Sequence, residues 1–294
     1  MILVDLNQVM ISNLMVHIHS SNSHHEVGSG ATVVDESMVR HMVLNSLRTY
    51  NKKFGQEFGE LVICIDDKQY WRREVYPHYK AHRRRDREKS DVDWQVLFDA
   101  MHMIRAELKE HMPYKVVQVP RAEADDIIGA VCIDRGSILN AGEKLLVLSG
   151  DKDFGQLLRY GNVYQYAPVQ KKMIAIDNAE RFLREHILLG DRGDGIPNFL
   201  SEDDTFVANK RQRPLSRTKL AEWVTMNPSD FCDDAMLRGY RRNEQLIDLS
   251  HIPTDVRDSI LTALDDAKPA PRSKMFSYFV EKRLRKLTEA IAEF

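Results

Sequence analysis

Short, almost continuous apolar runs alternate with longer stretches whose apolar residues recur every three or four positions. Four runs predict strands: "ILVD" (2–5), "LVICID" (61–66), "KVVQV" (115–119) and "KLLVLSGD" (144–151). Runs without polar alternation suit strands buried on both faces. In "DESMVRHMVLNSLRTYNKKFG" (35–55), Val39, Val43, Leu47 and Tyr50 share one helical face, and Gly55 is expected to stop the helix. In "DWQVLFDAMHMIRAEL" (93–108), Trp94, Leu97, Met101, Ile104 and Leu108 form a second stripe. Strand–helix alternation predicts a parallel sheet covered on both faces. "NVYQY" (162–166) and "KKMIAI" (171–176) predict a hairpin around Ala167 and Pro168. From about residue 177 the pattern is mainly helical. The expected fold is therefore α/β: a central, mainly parallel, twisted sheet with helices on both faces, plus a smaller helical C-terminal region. The polar stretch 201–217 is expected to be a mobile loop, and no repeat or coiled-coil heptad is visible.

Composition changes this picture little. A chain of 294 residues has room for one large α/β domain, or for a main domain and a smaller helical partner. The formal net charge of -2 does not by itself point to nucleic acid; such a role needs segregated charge. Cys64, Cys132 and Cys232 lack metal-like spacing and suit reduced thiols in a cytosolic protein. "MILVDLNQVM" has no basic start of a signal peptide, and no run approaches the roughly 20 apolar residues of a membrane span.

The acids carry the chemistry. Three strand-like runs finish in Asp5, Asp66 and Asp151, with Asp153 just beyond the third. Open parallel sheets bind ligands beyond the carboxyl ends of their strands, so these acids should share one rim. "RAEADDIIGAV" (121–131) starts a helix with Glu123, Asp125 and Asp126 in its first turn, and "GDRGDG" (190–195) adds Asp191 and Asp194. Gathered carboxylates repel one another and raise each other's pKa values unless a cation sits among them. All-oxygen ligands favour Mg²⁺, with Mn²⁺ as a substitute, and two such ions suit phosphodiester hydrolysis. Each Asp alone is equally an ordinary strand terminator, and the acids of 123–126 equally suit a helix N-terminus. The threefold recurrence favours a metal site.

The segregated charge lies directly after Asp66. "YWRREVYPHYKAHRRRDREK" (70–89) interleaves Arg72, Arg73, Lys80, Arg83, Arg84, Arg85, Arg87 and Lys89 with Tyr70, Trp71, Tyr76 and Tyr79. Guanidinium groups pair with phosphates and aromatic rings stack on unpaired bases, although a solvated basic helix over packed aromatics uses the same residues. The position beside a rim Asp favours phosphate binding. His17, His19, His24 and His25 fall in "SNLMVHIHSSNSHHEVGSG" (12–30), expected to be a solvated loop rather than a transition-metal site.

In order, "VDLNQ", "CIDD…YWRREVYPHYKAHR", "AEADD", "SGDKDF" and "GDRGDGIPN" resemble the flap-endonuclease (5′-nuclease) family, and within it the branch of T-even bacteriophage ribonucleases H. The likeness spans nearly the whole chain. It implies the 5′-nuclease (PIN-like) α/β fold rather than the ribonuclease H fold. It implies a nuclease domain over 1–189, with an arch over a 5′ single strand at about 67–90, and a helical duplex-binding region over 190–294 that opens with a helix-hairpin motif. Asp5, Asp66, Glu123, Asp125, Asp151, Asp153, Asp191 and Asp194 match the family's metal-binding acids, and Asp126 matches a further acid of its "EADD" pattern. Lys80 and Arg83 match basic residues beside the scissile phosphate, with Asp125 essential to cleavage. Arg72, Arg73, Tyr79, Arg84, Arg85 and Arg87 would contact nucleic acid, as would the amides around Gly193 and Gly195. The resemblance implies primer removal from lagging-strand fragments by a monomer in the cytoplasm of a bacterial host, with two Mg²⁺ ions. The substrates would be RNA–DNA hybrids and nicked or 5′-flap duplexes. The partners would be a single-strand-binding protein and a sliding clamp, and no membrane. No partner-binding peptide is expected ahead of the first strand, and Asp67 is given no role.

Two other readings compete. A haloacid-dehalogenase-like phosphatase also uses Asp at strand ends but needs a second Asp two positions after the nucleophile, where this chain has Asn7. A DNA-binding protein that has lost catalysis would have no reason to collect carboxylates around a polyanion.

Overall fold

The computed structural model describes residues 1–22, 35–90, 92–136 and 143–294. His24 and His25 lie outside the described residues. Among the described residues six strands form one sheet in the order β3-β2-β1-β4-β5-β6. They are β1 (Ile2–Asp5), β2 (Leu61–Ile65), β3 (Lys115–Gln118), β4 (Leu145–Leu148), β5 (Val163–Ala167) and β6 (Lys172–Ile174). The first five run parallel; β6 pairs antiparallel with β5, with Gln165 opposite Ile174 and Ala167 opposite Lys172. The strands and the hairpin thus stand where the apolar runs place them.

The helices are α1 (Leu6–Asn22), α2 (Glu36–Phe58), α3 (Trp71–Val75), α4 (His82–Glu88), α5 (Trp94–His111), α6 (Ala124–Arg135) and α7 (Ala179–Leu189), then α8 (Arg217–Trp223), α9 (Pro228–Phe231), α10 (Asp234–Ile247), α11 (Thr254–Asp266), α12 (Arg272–Glu281) and α13 (Arg285–Glu289). Successive strand residues point to opposite faces. Ile2 and Val4 pack with α2 (Val39, Val43, Leu47), α5 (Leu97, Met101, Ile104, Leu108) and α12 (Met275, Phe279). Leu3 packs on the other face with α6 (Ile127, Ile128, Val131) and α11 (Val256, Ile260, Leu264). A third core joins Tyr76 and Tyr79 to α7 (Leu183, Ile187) and α10 (Leu246, Ile247). The chain after residue 250 therefore returns to both faces of the sheet.

Three expectations are corrected. Gly55 does not end α2, which runs on to Gly59 at φ 85°. Phe54 and Phe58 extend the buried stripe, and their burial outweighs one helical glycine, which costs about 1 kcal/mol. Residues 12–22 are helix rather than loop, so His17 and His19 fall on α1, whose Val9, Met10 and Leu14 are buried. Residues 201–216 are a loop but a tied one. Ser201 Oγ accepts from the Arg213 N–H at 2.8 Å, and Arg242 Nη1 donates to Asp203 Oδ1 at 2.6 Å.

Candidate active site

Strand β1 lies between β2 and β4, so the strand order reverses beside it. The carboxyl edge at such a switch point is where open α/β sheets bind ligands. Asp5 closes β1, Asp66 follows β2, and Asp151 follows β4 after Ser149 and Gly150. Helix α6 starts beyond β3 and brings Glu123 and Asp125; a 3₁₀ helix, Lys152–Arg159, brings Asp153. The turn after α7 carries Asp191 and Asp194. Six elements thus deliver the expected acids to one rim.

The rim is neither evenly charged nor evenly bonded. Asp5 is buried and its carboxyl is pushed up to about 7, first by burial and then by the Asp66 charge. Ser149 Oγ donates to Asp5 Oδ2 at 3.1 Å. Burial also raises Asp66, although the Ala124 N–H at the start of α6 donates to it at 2.6 Å. Asp125 and Asp153 are driven well above the usual carboxylate range, by burial and then by the charge of Asp151. The charge of Asp151 thus acts on Asp5, Asp125 and Asp153, and those of Asp194 and Asp191 act on Asp153 as well. Among the described residues no group donates a hydrogen bond to the Asp125 carboxylate.

Other acids are held by cations. Burial alone would raise Glu123, but Lys80 and Arg72 hold it low; Lys80 Nζ lies 2.6 Å from its Oε1. Asp194 takes Arg83 Nη2 at 2.6 Å and faces Lys80 Nζ at 3.6 Å. Lys80 itself sits at φ 55°, a left-handed conformation costly for a side chain with a Cβ. Its N–H, bonded to Asp194 O at 2.7 Å, and its Nζ, bonded to Glu123, over-determine that conformation. Asp67 also has a role that its sequence position did not suggest. It accepts from the Arg121 N–H at 2.9 Å, tying the end of β2 to the turn before α6.

The basic segment divides. Arg73, Lys80, Arg83 and Arg87 join Lys68 and Arg105 around a groove of about 870 Å³ that reaches Asp66. Arg84 and Arg85 are exposed on α4, and Arg85 lines a second hollow of about 660 Å³ with Arg192, Lys210, Arg211 and Arg213. Gly193 is exposed, and its carbonyl accepts from Arg83 Nε at 3.0 Å.

Four assignments fail on burial. Arg72, 3% exposed, donates to Asp126 Oδ1 (2.7 Å), Glu123 Oε2 (3.2 Å) and Leu246 O (2.9 Å), so its fork is spent inside the protein. Tyr79 is buried, its hydroxyl 2.8 Å from Glu123 Oε2 and 2.9 Å from Asp194 Oδ2, leaving no ring face for a base. Asp126 is fully buried: one oxygen pairs with Arg72 and the other accepts the Glu123 N–H at 2.9 Å, so it braces α6 rather than facing an ion. Gly195 is buried beneath His78 and His82, and its N–H is bonded to Arg192 O at 3.2 Å. A sequence cannot separate a buried Arg–carboxylate brace from an exposed phosphate clamp, since both use the same residue types.

One residue was missed. His186, in the last turn of α7, lies within ligand reach of Asp153 and Asp191; among the described residues these three are the one set of His, Cys, Asp or Glu whose ligand atoms all lie within 4.8 Å of one another. The site passes a chemical test for a divalent cation. Repelling carboxylates are gathered at one rim, and Asp153 Oδ1 and His186 Nδ1 are buried without a hydrogen-bond partner. Asp153, His186 and Asp191 have the donor chemistry and the spacing to hold an ion.

Comparison with known proteins agrees with the motif order. The sequence profile of the 5′–3′ exonuclease N-terminal, resolvase-like domain matches residues 3–186, and that of the T4 RNase H C-terminal domain matches residues 178–294. The chain is 34% identical to the ribonuclease H of Enterobacteria phage T4, over 99% of this chain and 95% of that protein. The phage T5 5′-exonuclease with bound zinc superposes with a TM-score of 0.60 at 15% identity, covering 91% of this chain and 98% of the other. The T5 flap endonuclease in a pseudo-enzyme–product complex with DNA and metal ions gives 0.56 at 15% identity, covering 90% and 99%. These two share the fold. The two matched profiles together span the chain, which therefore belongs to the 5′–3′ exonuclease family and is a nuclease of the hydrolase class.

Proposed function

We propose that this nuclease is Mg²⁺-dependent and cuts RNA–DNA hybrids and nicked or 5′-flap duplexes from the 5′ side, removing RNA primers and adjacent DNA from lagging-strand fragments. The observation that carries the proposal is the juxtaposition of gathered acids with a cationic groove. Asp5, Asp66, Asp125, Asp151 and Asp153 lie at the switch point, and a groove lined by Lys68, Arg73, Lys80, Arg83, Arg87 and Arg105 reaches Asp66. Two ions held among these acids would acidify water and offset charge on the phosphate.

The chain's own residues do the positioning. Arg73 and Arg87 draw the backbone of a single strand into the groove. Lys80 and Arg83, tethered to Glu123 and Asp194, stand at its inner end, where a scissile phosphate can exchange for the acids. Arg84, Arg85 and the amide of Gly193 are left for contacts outside the groove. We assign residues 1–189 to the nuclease domain, with 67–90 as the arch, and 190–294 to duplex binding.

On the same reading the protein acts as a monomer in the cytoplasm of the phage's bacterial host. A single-strand-binding protein and a sliding clamp are its partners. The phage relative supports that setting, and among the described residues no helix is long and apolar enough to cross a membrane.

The test is incubation of the pure protein with a 5′-labelled RNA–DNA hybrid and a 5′-flap duplex, with Mg²⁺ or with EDTA. Short 5′ products or released flaps only with Mg²⁺ are expected. Equal cutting in EDTA would end the metal reading.

A further inference from the structure

His186 breaks the all-oxygen character of the rim. Helix α7 packs on the 3₁₀ helix that carries Asp153, because Gly155 leaves room: a Cβ there would lie 2.4 Å from Ile176 Cδ1 and 2.9 Å from Phe182 Cε1. That contact sets His186 Nδ1 3.6 Å from Asp153 Oδ1. The other ring nitrogen, Nε2, lies 3.2 Å from Asp191 Oδ2. A carboxylate only accepts, so Nε2 donates to Asp191 and leaves Nδ1 turned toward Asp153. Nδ1 and Asp153 Oδ1 thus face each other in a site where His186 is 6% exposed, and neither atom has a hydrogen-bond partner. Two donors each about 2.1 Å from one ion, at angles of about 90–120°, stand roughly 3.0–3.6 Å apart. Asp191 is meanwhile held by Lys152 Nζ at 2.9 Å, by the Asp194 N–H at 3.2 Å and by His186. A carboxylate that orients the far nitrogen of an imidazole is the usual support of a metal-bound histidine.

We propose that His186 Nδ1 and Asp153 Oδ1 are direct ligands of one divalent ion, with Asp191 orienting the imidazole, so that this position takes Mn²⁺, Co²⁺ or Zn²⁺ in preference to Mg²⁺. Imidazole nitrogen favours those metals, whereas Mg²⁺ prefers oxygen. The position held by Asp5, Asp66 and Asp125 remains all-oxygen. The inference rests on the metal-dependent reading above but fails separately from it.

The probe is Mn²⁺ alone on the full chain, read by pulsed electron paramagnetic resonance for ¹⁴N coupling and by titration for affinity. Wild type should show one directly bound imidazole nitrogen. His186→Gln should lose that coupling and weaken Mn²⁺ binding at this position at least about tenfold, with Mg²⁺ affinity nearly unchanged. Because the wild-type spectrum is itself a test, a variant that fails to fold does not remove it. Bound Mn²⁺ without ¹⁴N coupling, or coupling that survives in His186→Gln, would overturn the assignment and leave the carboxylate site standing. No Mn²⁺ binding at all would overturn both.

Discussion

Asp5 shows what the rim asks of single residues. Its carboxyl sits at about 7 in the fold, against 3.8 for an ordinary aspartate. Between those values the native state keeps a proton that the unfolded chain releases. Its contribution to stability is thus full below about pH 4 and is lost as pH rises through 7, at about 1.4 kcal/mol per pKa unit. Without metal, wild type should lose more stability than Asp5→Asn between about pH 5 and pH 8, and Mg²⁺, replacing the proton, should shrink the difference. Urea unfolding in EDTA and in Mg²⁺ checks this; parallel pH slopes would mean that Asp5 ionises normally. Arg72→Ala should cost about 3–5 kcal/mol in the same assay, because it strands Asp126 as a buried charge and takes one of its two cations from Glu123. A loss of DNA binding with intact stability would restore Arg72 to the substrate. The acids were legible because each interrupts or ends an apolar run. Arg72, Tyr79 and Asp126 were misread because burial is decided by neighbours on α6, α10 and the 190s turn. His186 gave no local signal at all, since its partner sits on another element.

At the scale of elements, the turn after α7 is the rigid joint of the site. Gly190 lies at φ 69°, and a Cβ there would fall 2.4 Å from Pro197 O and 2.5 Å from Ile196 O. Backbone carbonyls cannot move aside as side-chain tips can. Gly190→Ala should therefore destabilise by more than the 1–3 kcal/mol typical of a strained left-handed residue, and should displace Asp191 and Asp194. Gly193→Ala meets only the Asp191 carboxylate, at 3.1 Å, and should be far milder. Melting temperatures compare the two; equal losses would locate the constraint elsewhere. Strands and hairpin could be read from the chain because a buried parallel strand needs a short unbroken apolar run. Helix ends could not, since Phe58 rewards α2 for passing Gly55. Helix α1 was hidden by its many polar and histidine positions, although Val9, Met10 and Leu14 pay for it in the core.

For the whole molecule, the net charge of -2 conceals a division between an acidic rim and a basic groove. Binding of a 5′-flap duplex should weaken steeply with salt. Arg73→Ala should lower the salt slope by about one unit with little change in stability, because Arg73 is exposed and stacks only on Tyr70. An unchanged slope would move the strand out of the groove. The domain-scale fold could be read from strand–helix alternation. The return of α11 and α12 to the sheet could not, because it depends on which apolar faces meet. The central claim is that the gathered carboxylates hold the ions that cleave the substrate. Its most direct test is Asp125→Asn, assayed for both binding and cleavage of a 5′-flap duplex in Mg²⁺. Cleavage should be abolished, with binding unchanged or tighter because one repelling charge is gone; normal turnover by this variant would take the carboxylates out of the chemistry.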